Sequence, residues 1–150
     1  MLVSGGWGGH RRCTRALGRT SGVPTERCRL NANPKALLVE DEVLVAAIAS
    51  DALEELGYQI VEAGTAKAAL ELAAAGVSSF AFAIIDIGLP DGRGDALAIE
   101  LRRLRSDLPI IIATGYGDSG IDQRVREGRT VVLGKPYDIG QLHMAIKSVA

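Results

Sequence analysis

Phe80-Ala-Phe-Ala-Ile-Ile-Asp-Ile-Gly-Leu-Pro-Asp-Gly92 is the stretch on which the fold turns. Its first six residues are apolar without alternation, as expected of a strand buried on both faces, which antiparallel strands with one wet face rarely are. Asp86 then sits where that strand opens into a Gly/Pro loop. Strand interiors favour β-branched and aromatic groups and are poor in Asp, so packing explains this carboxylate badly. A residue so placed is a turn-former, a helix cap or a site.

The same unit recurs along the chain. Lys35-Ala-Leu-Leu-Val39 is another short apolar run, followed over 42–56 by Val43, Leu44, Ala47, Ile48, Ala52 and Leu56 at helical spacing and by Gly57 as the stop. Tyr58–Val61 reads as the second strand. Thr65 caps a helix to about Ala74, halted by Gly76. After the strand at 80–85, a helix over Asp95–Arg105 carries Leu97, Leu101 and Leu104 on one face, with Arg102, Arg103 and Arg105 expected on a solvated one. Pro109–Ala113 and Thr130–Leu133 are the fourth and fifth strands, separated by a weaker polar helix at about 119–127, and Asp138–Val149 is the closing helix. Five strands alternating with five helices predict a doubly wound α/β sandwich built on a five-stranded parallel sheet.

Two kinds of sequence join near Asn33-Pro34. Residues 1–35 hold seven basic groups against the single acid Glu26, whereas the remainder holds ten basic and seventeen acidic residues. The expected organisation is a basic, disordered tail over 1–33 and one domain over 34–150. The tail is read as an upstream-extended start, a remnant of a longer protein, a transit-like segment or an arm for nucleic acid or an acidic partner. No apolar run reaches the roughly 18–20 residues that span a bilayer, and no secretory h-region opens the chain. Cys13 and Cys28 match no metal spacing, so a reducing, cytoplasmic setting with no membrane partner is the simplest expectation.

In a parallel sheet the residues just past the strand ends share one rim, where ligands bind. That rim collects Glu40, Asp41 and Glu42, then Asp86, then Thr114-Gly115, then Gly134-Lys135-Pro136. Three carboxylates from Glu40, Asp41 and Asp86 repel one another in a partly desolvated cleft unless a cation joins them. An all-oxygen set of this size suits Mg²⁺, which keeps waters and shares its site with phosphate oxygens. Lys135 adds a point charge for a further anion and Thr114 a hydroxyl donor. Together they describe a phosphoryl-accepting site. Glu42 is read as a helix-start acid, and Asp91 and Asp95 as loop and helix-start residues. His143 is read as a partly buried packing residue.

Leu-Leu-Val-Glu-Asp-Glu (37–42), Ile-Ile-Asp-Ile-Gly-Leu-Pro-Asp-Gly (84–92), Ile-Ala-Thr-Gly (112–115) and Lys-Pro-Tyr (135–137) resemble the receiver domain of two-component response regulators. The resemblance covers about residues 34–150 and implies a flavodoxin-like (βα)5 fold with strand order 2-1-3-4-5. It implies that Asp86 is the phosphoacceptor, that Glu40, Asp41 and Asp86 with the Gly88 backbone carbonyl hold Mg²⁺, and that Thr114 and Lys135 engage the phosphoryl group. It also implies a cis Lys135–Pro136 bond. Its expected partners are a sensor histidine kinase or histidine phosphotransfer protein as donor and a downstream protein as target, with no direct DNA binding from this domain. With nothing after the last helix, the expectation is a stand-alone receiver or the C-terminal receiver of a hybrid histidine kinase. The chain departs from the family pattern at Val132, where Tyr or Phe often stands and reports phosphorylation by rotating; Tyr116 is no simple substitute.

Two other functions are weighed against this one. An aspartate-nucleophile phosphatase of the haloacid-dehalogenase type needs a second Asp two residues after the nucleophile, where this chain has Gly88, so a non-enzymatic role is expected. A flavodoxin wants a Ser/Thr/Gly-rich phosphate loop after the first strand, where Glu40-Asp41-Glu42 repels phosphate.

Overall fold

The computed structural model describes residues 33–115 and 120–149; the expected tail, Asn33 apart, and Tyr116 lie outside the described residues. In order, the chain forms β1 (Lys35–Val39), α1 (Val43–Glu55), β2 (Gln59–Ala63), α2 (Ala66–Gly76), a 3₁₀ turn (Val77–Ser79), β3 (Phe80–Asp86), β4 (Gly88–Leu89), β5 (Gly92–Arg93), α3 (Gly94–Leu104), β6 (Ile110–Thr114), α4 (Gln123–Arg126), β7 (Thr130–Gly134) and α5 (Ile139–Val149). The five long strands form one parallel sheet ordered β2-β1-β3-β6-β7, which is the expected 2-1-3-4-5 topology. β4 and β5 make a small antiparallel hairpin, not anticipated from sequence, directly after Asp86.

Both sheet faces are dry because successive strand side chains alternate between them. Leu37, Val39, Ala83, Ile85, Ile110 and Ile112 pack under α2, α3 and α4. Ala36, Leu38, Phe82, Ile84, Ile111 and Leu133 pack under α1 and α5. The register levels the carboxyl ends of the strands: Val39 lies opposite Ile85, Asp86 opposite Ala113, and Thr114 opposite Gly134. The residues that follow Val39 and Gly134 therefore emerge at the height of Asp86.

Local chemistry accounts for the element ends. Thr65 Oγ1 accepts the Ala68 N–H at 3.1 Å and starts α2. Asp91, expected as a loop former, also reaches across to α2: its two carboxylate oxygens accept the Ala66 and Lys67 N–H groups at 2.8 and 3.0 Å. Gly57 follows α1 with φ near +90°, a conformation that suits glycine.

Three sequence expectations need correction. In α1 the spacing selects Val43, Leu44, Ala47 and Ile48, yet the helix buries Ala46, Ala49, Ser50 and Leu53, which keep the same spacing one face away. Val43, Leu44 and Ile48 are 80%, 74% and 68% exposed. A helix apolar nearly all round has no polar face to break the tie, and small residues let it sit close to the sheet. His143, expected to be partly buried, is exposed on α5.

The arginines of α3 are the third correction. Arg103 is solvated and pairs with Glu100. Arg102 instead turns inward, donating to the Val125 carbonyl and to Thr130 Oγ1, both at 2.8 Å. Arg105 donates to the Phe80 carbonyl at 2.6 Å. Arg102 thus fastens α3 to α4 and β7, and α4 itself is shorter than the expected 119–127. Arg102→Ala is expected to cost about 1–3 kcal/mol by removing two charge-assisted hydrogen bonds that join α3 to α4 and β7. Arg103→Ala should stay within about 0.5 kcal/mol. Urea unfolding of the two variants measures the difference.

Candidate phosphoacceptor site

β1, β3 and β7 deliver Glu40, Asp86 and Lys135 to one point. Glu40 and Asp86 are 7% and 9% exposed, and Thr114, at the end of β6 beside them, is 3% exposed. Lys135 Nζ donates to Glu40 Oε2 at 2.6 Å and lies 3.1 Å from Asp86 Oδ1. The other Glu40 oxygen accepts the Glu42 N–H at 3.2 Å, which sets the carboxylate's orientation at the start of α1. Lys135 is itself positioned by its backbone N–H, which donates to the Thr114 carbonyl at 2.8 Å, and the bond to Pro136 is cis. Burial works against the Lys135 charge, but its hydrogen bonds to Glu40 and Asp86 and their negative charges outweigh it and hold the ammonium above the ordinary lysine value.

Asp41 is exposed at the mouth of this group. One carboxylate oxygen from each of Glu40, Asp41 and Asp86 lies within 4.8 Å of the others. Three carboxylates against one lysine leave a local charge near −2, a complement to a divalent cation, and the donors are all oxygen. Gly88 stands next to the Asp86 carboxylate: a Cβ there would be 3.8 Å from Asp86 Oδ2. Val132, the position without an aromatic ring, is half-buried and packs into the core on the α2–α3 side. A cavity of about 360 Å³ lies alongside, between Glu42, Val45 and Ile48 and the Lys135-Pro136-Tyr137 segment.

The structure also brings forward a pair to which the sequence reading gave no joint role. Arg93 closes the β4–β5 hairpin, and its Nε and one terminal nitrogen each donate to a carboxylate oxygen of Asp95 at 3.0 Å. The same terminal nitrogen donates to the Gly120 carbonyl at 2.6 Å, and Asp95 accepts the Asp122 N–H at 3.1 Å. Nothing in the sequence signals the contacts to Gly120 and Asp122, which span 27 residues.

Burial opposes ionisation of the Asp95 carboxyl, but the Arg93 hydrogen bond, the Asp122 N–H and the Arg93 charge together hold it below the ordinary value of 3.8. A depressed carboxyl adds stability that is present above the unfolded value and lost as pH falls through the folded one. The native protein should therefore lose stability below about pH 4 more steeply than Asp95→Asn, and the two should converge in acid. Urea midpoints measured across that range check this.

With this geometry in place, comparison with known proteins gives a consistent answer. The model of the response regulator receiver domain matches residues 36–147. The chain is 32% identical over 117 residues to the photosynthetic apparatus regulatory protein RegA of Rhodovulum sulfidophilum, covering 77% of this chain and 63% of that protein. It is 37% identical over 114 residues to the aerobic respiration control sensor protein ArcB of Escherichia coli K12, covering 74% of this chain and 14% of that one. The chain thus spans less than two thirds of either relative. Among solved structures, a response regulator receiver domain protein from Clostridium thermocellum superposes with a TM-score of 0.71 at 25% identity, covering 77% of this chain and 92% of that one. The chain belongs to the response regulator receiver domain family, whose role is phosphorelay signalling. No helix among the described residues is long and apolar enough to cross a membrane.

Proposed function

We propose that Asp86 accepts a phosphoryl group from a histidine kinase or histidine phosphotransfer protein, that Mg²⁺ assists, and that the phosphorylated domain signals by changed binding to a downstream protein. The observation that carries this reading is Lys135 bridging Glu40 and Asp86 at the level ends of parallel strands. Glu40, Asp41, Asp86 and the Gly88 carbonyl are the residues that would hold the metal. When bound, the metal supplies positive charge against the oxygens of the transferring group.

The chain's own residues do the rest. An Asp86 carboxylate oxygen attacks the phosphorus, the bond from phosphorus to the donor's imidazole nitrogen breaks, and the imidazole leaves with its electron pair. The product is an acyl phosphate. Lys135, already 3.1 Å from Asp86, pairs with a phosphoryl oxygen, and Thr114 donates its hydroxyl to another. Gly88 offers no acid to protonate a leaving group in the manner of a phosphatase, which supports a signal held on Asp86 over a turnover intermediate. A donor must approach this rim beside α1, and the outward Val43, Leu44 and Ile48 offer it an apolar contact in a cytoplasmic encounter.

The test is incubation of the native protein with Mg²⁺ and a small phosphodonor, followed by intact-mass measurement and peptide mapping, with Asp86→Asn in parallel. A gain of one phosphoryl group on Asp86, absent from the variant, is expected. No adduct, or an equal one on the variant, would sink the assignment.

A further inference from the structure

We propose that the Arg93–Asp95 pair is a mechanical link that transmits the state of the acceptor loop to the start of α4, giving the domain a route of readout that does not pass through an aromatic ring at position 132. The link rests on the reading of Asp86 as acceptor, and its geometry is continuous. Asp86 ends β3, and the carbonyl of Ile87, the next residue, accepts the Gly94 N–H at 3.0 Å. Gly94 opens α3 packed directly on the backbone of Asp86, so closely that a Cβ would stand 2.9 Å from the Asp86 carbonyl carbon. The residues on either side of Gly94 are Arg93 and Asp95. A shift of the acceptor loop must therefore carry both side chains with it.

At the far end the pair grips backbone on each side of Ile121. Arg93 holds the Gly120 carbonyl and Asp95 holds the Asp122 N–H. Asp122 is the N-cap of α4, its own carboxylate accepting the Arg124 N–H at 2.9 Å. Ile121 is buried between the two grips and packs into the core on the same side as α3. Arg93 is 59% exposed and makes two parallel hydrogen bonds to a carboxylate that is almost fully enclosed. That exposure suits a link over a core element: removing the guanidinium opens no hole in the core, yet it frees the Gly120 carbonyl and leaves Asp95 without its counter-charge.

The measurement is the backbone amide of Asp122, followed by ¹⁵N NMR and hydrogen exchange, before and after phosphorylation with Mg²⁺ and a small phosphodonor. In the native protein, phosphorylation is expected to shift the Asp122 resonance and change its exchange rate. In Arg93→Ala and Asp95→Asn the adduct still forms on Asp86, as intact mass reports, but the Asp122 response to it loses most of its size. Unphosphorylated Asp122 should also exchange about tenfold faster or more in Arg93→Ala, while core amides such as Ile111 keep the native rate. A full native response in both variants overturns the link, as does a native adduct that leaves Asp122 unmoved. Loss of the adduct in both variants also overturns it, because the pair would then serve acceptance and not transmission. A native protein that forms no adduct removes the reading of the site and the link with it, and mass alone separates that failure from the others.

Discussion

Gly94→Ala should be among the most damaging single-methyl substitutions in this domain. The added Cβ would fall inside van der Waals contact of the Asp86 carbonyl oxygen, 2.9 Å from its carbon and 3.0 Å from Ile85 Cγ2. These neighbours are strand backbone and a β-branched core side chain, neither of which can swing aside. Relief requires α3 to lift off β3, which breaks the Gly94 N–H bond to Ile87 and displaces Asp86. Overpacking of a tight core costs about 1–3 kcal/mol, and the lost backbone hydrogen bond adds about 1 kcal/mol. Gly92→Ala is the matched control, two residues away, where a Cβ meets nothing within 4 Å. Thermal unfolding should separate the two variants clearly. Phosphorylation of Gly94→Ala should be slow even at temperatures where it is folded, because Asp86, the proposed acceptor, sits on the displaced backbone. Equal stability of the two variants would refute the close packing of α3 on Asp86.

The second large effect concerns Lys135→Met. This side chain is the cation facing Glu40 and Asp86, and Glu40 is almost completely enclosed. Removing it leaves two buried carboxylates and Asp41 repelling one another without compensation. Breaking a buried pair by deleting one partner costs about 3–5 kcal/mol; the partial exposure of Lys135 brings the expectation to about 2–3 kcal/mol without divalent cation. Added Mg²⁺ should restore much of that loss, because any ligand bound only by the folded state stabilises it. The variant should therefore show a larger rise in unfolding midpoint on Mg²⁺ addition than the native protein, and a slower phosphoryl transfer. If Mg²⁺ stabilises both proteins equally, the charge balance described for the site is incorrect.

How far the sequence could be read follows from what its patterns encode. Continuous apolar runs mark strands buried on both faces, and an acid or lysine at the end of each is visible without a structure. Parallel pairing then levels those ends, so Glu40, Asp41, Asp86, Thr114 and Lys135 could be grouped before any coordinates. Periodicity says less about sides and reach. It could not choose between the two apolar faces of α1, because Val43-Leu44-Ala47-Ile48 and Ala46-Ala49-Ser50-Leu53 satisfy the same spacing. It placed Arg102 on the outside of α3, since a helical wheel does not show that a long side chain can fold back to Val125 and Thr130. Asp91 and Asp95 were legible only as loop and helix-start residues; the N–H groups they accept from Ala66, Lys67 and Asp122 lie more than twenty positions away, and no local rule joins them.

The division of labour within α1 has a practical meaning. Ala46, Ala49, Ser50 and Leu53 hold the helix to the sheet, whereas Val43, Leu44 and Ile48 contribute almost nothing to the interior. If the donor docks beside α1 as proposed, stability and donor contact fall on separate sides of one helix. The outer side could be rewritten wholesale, to insulate this domain from its donors or to wire it to a new one, without renegotiating the fold.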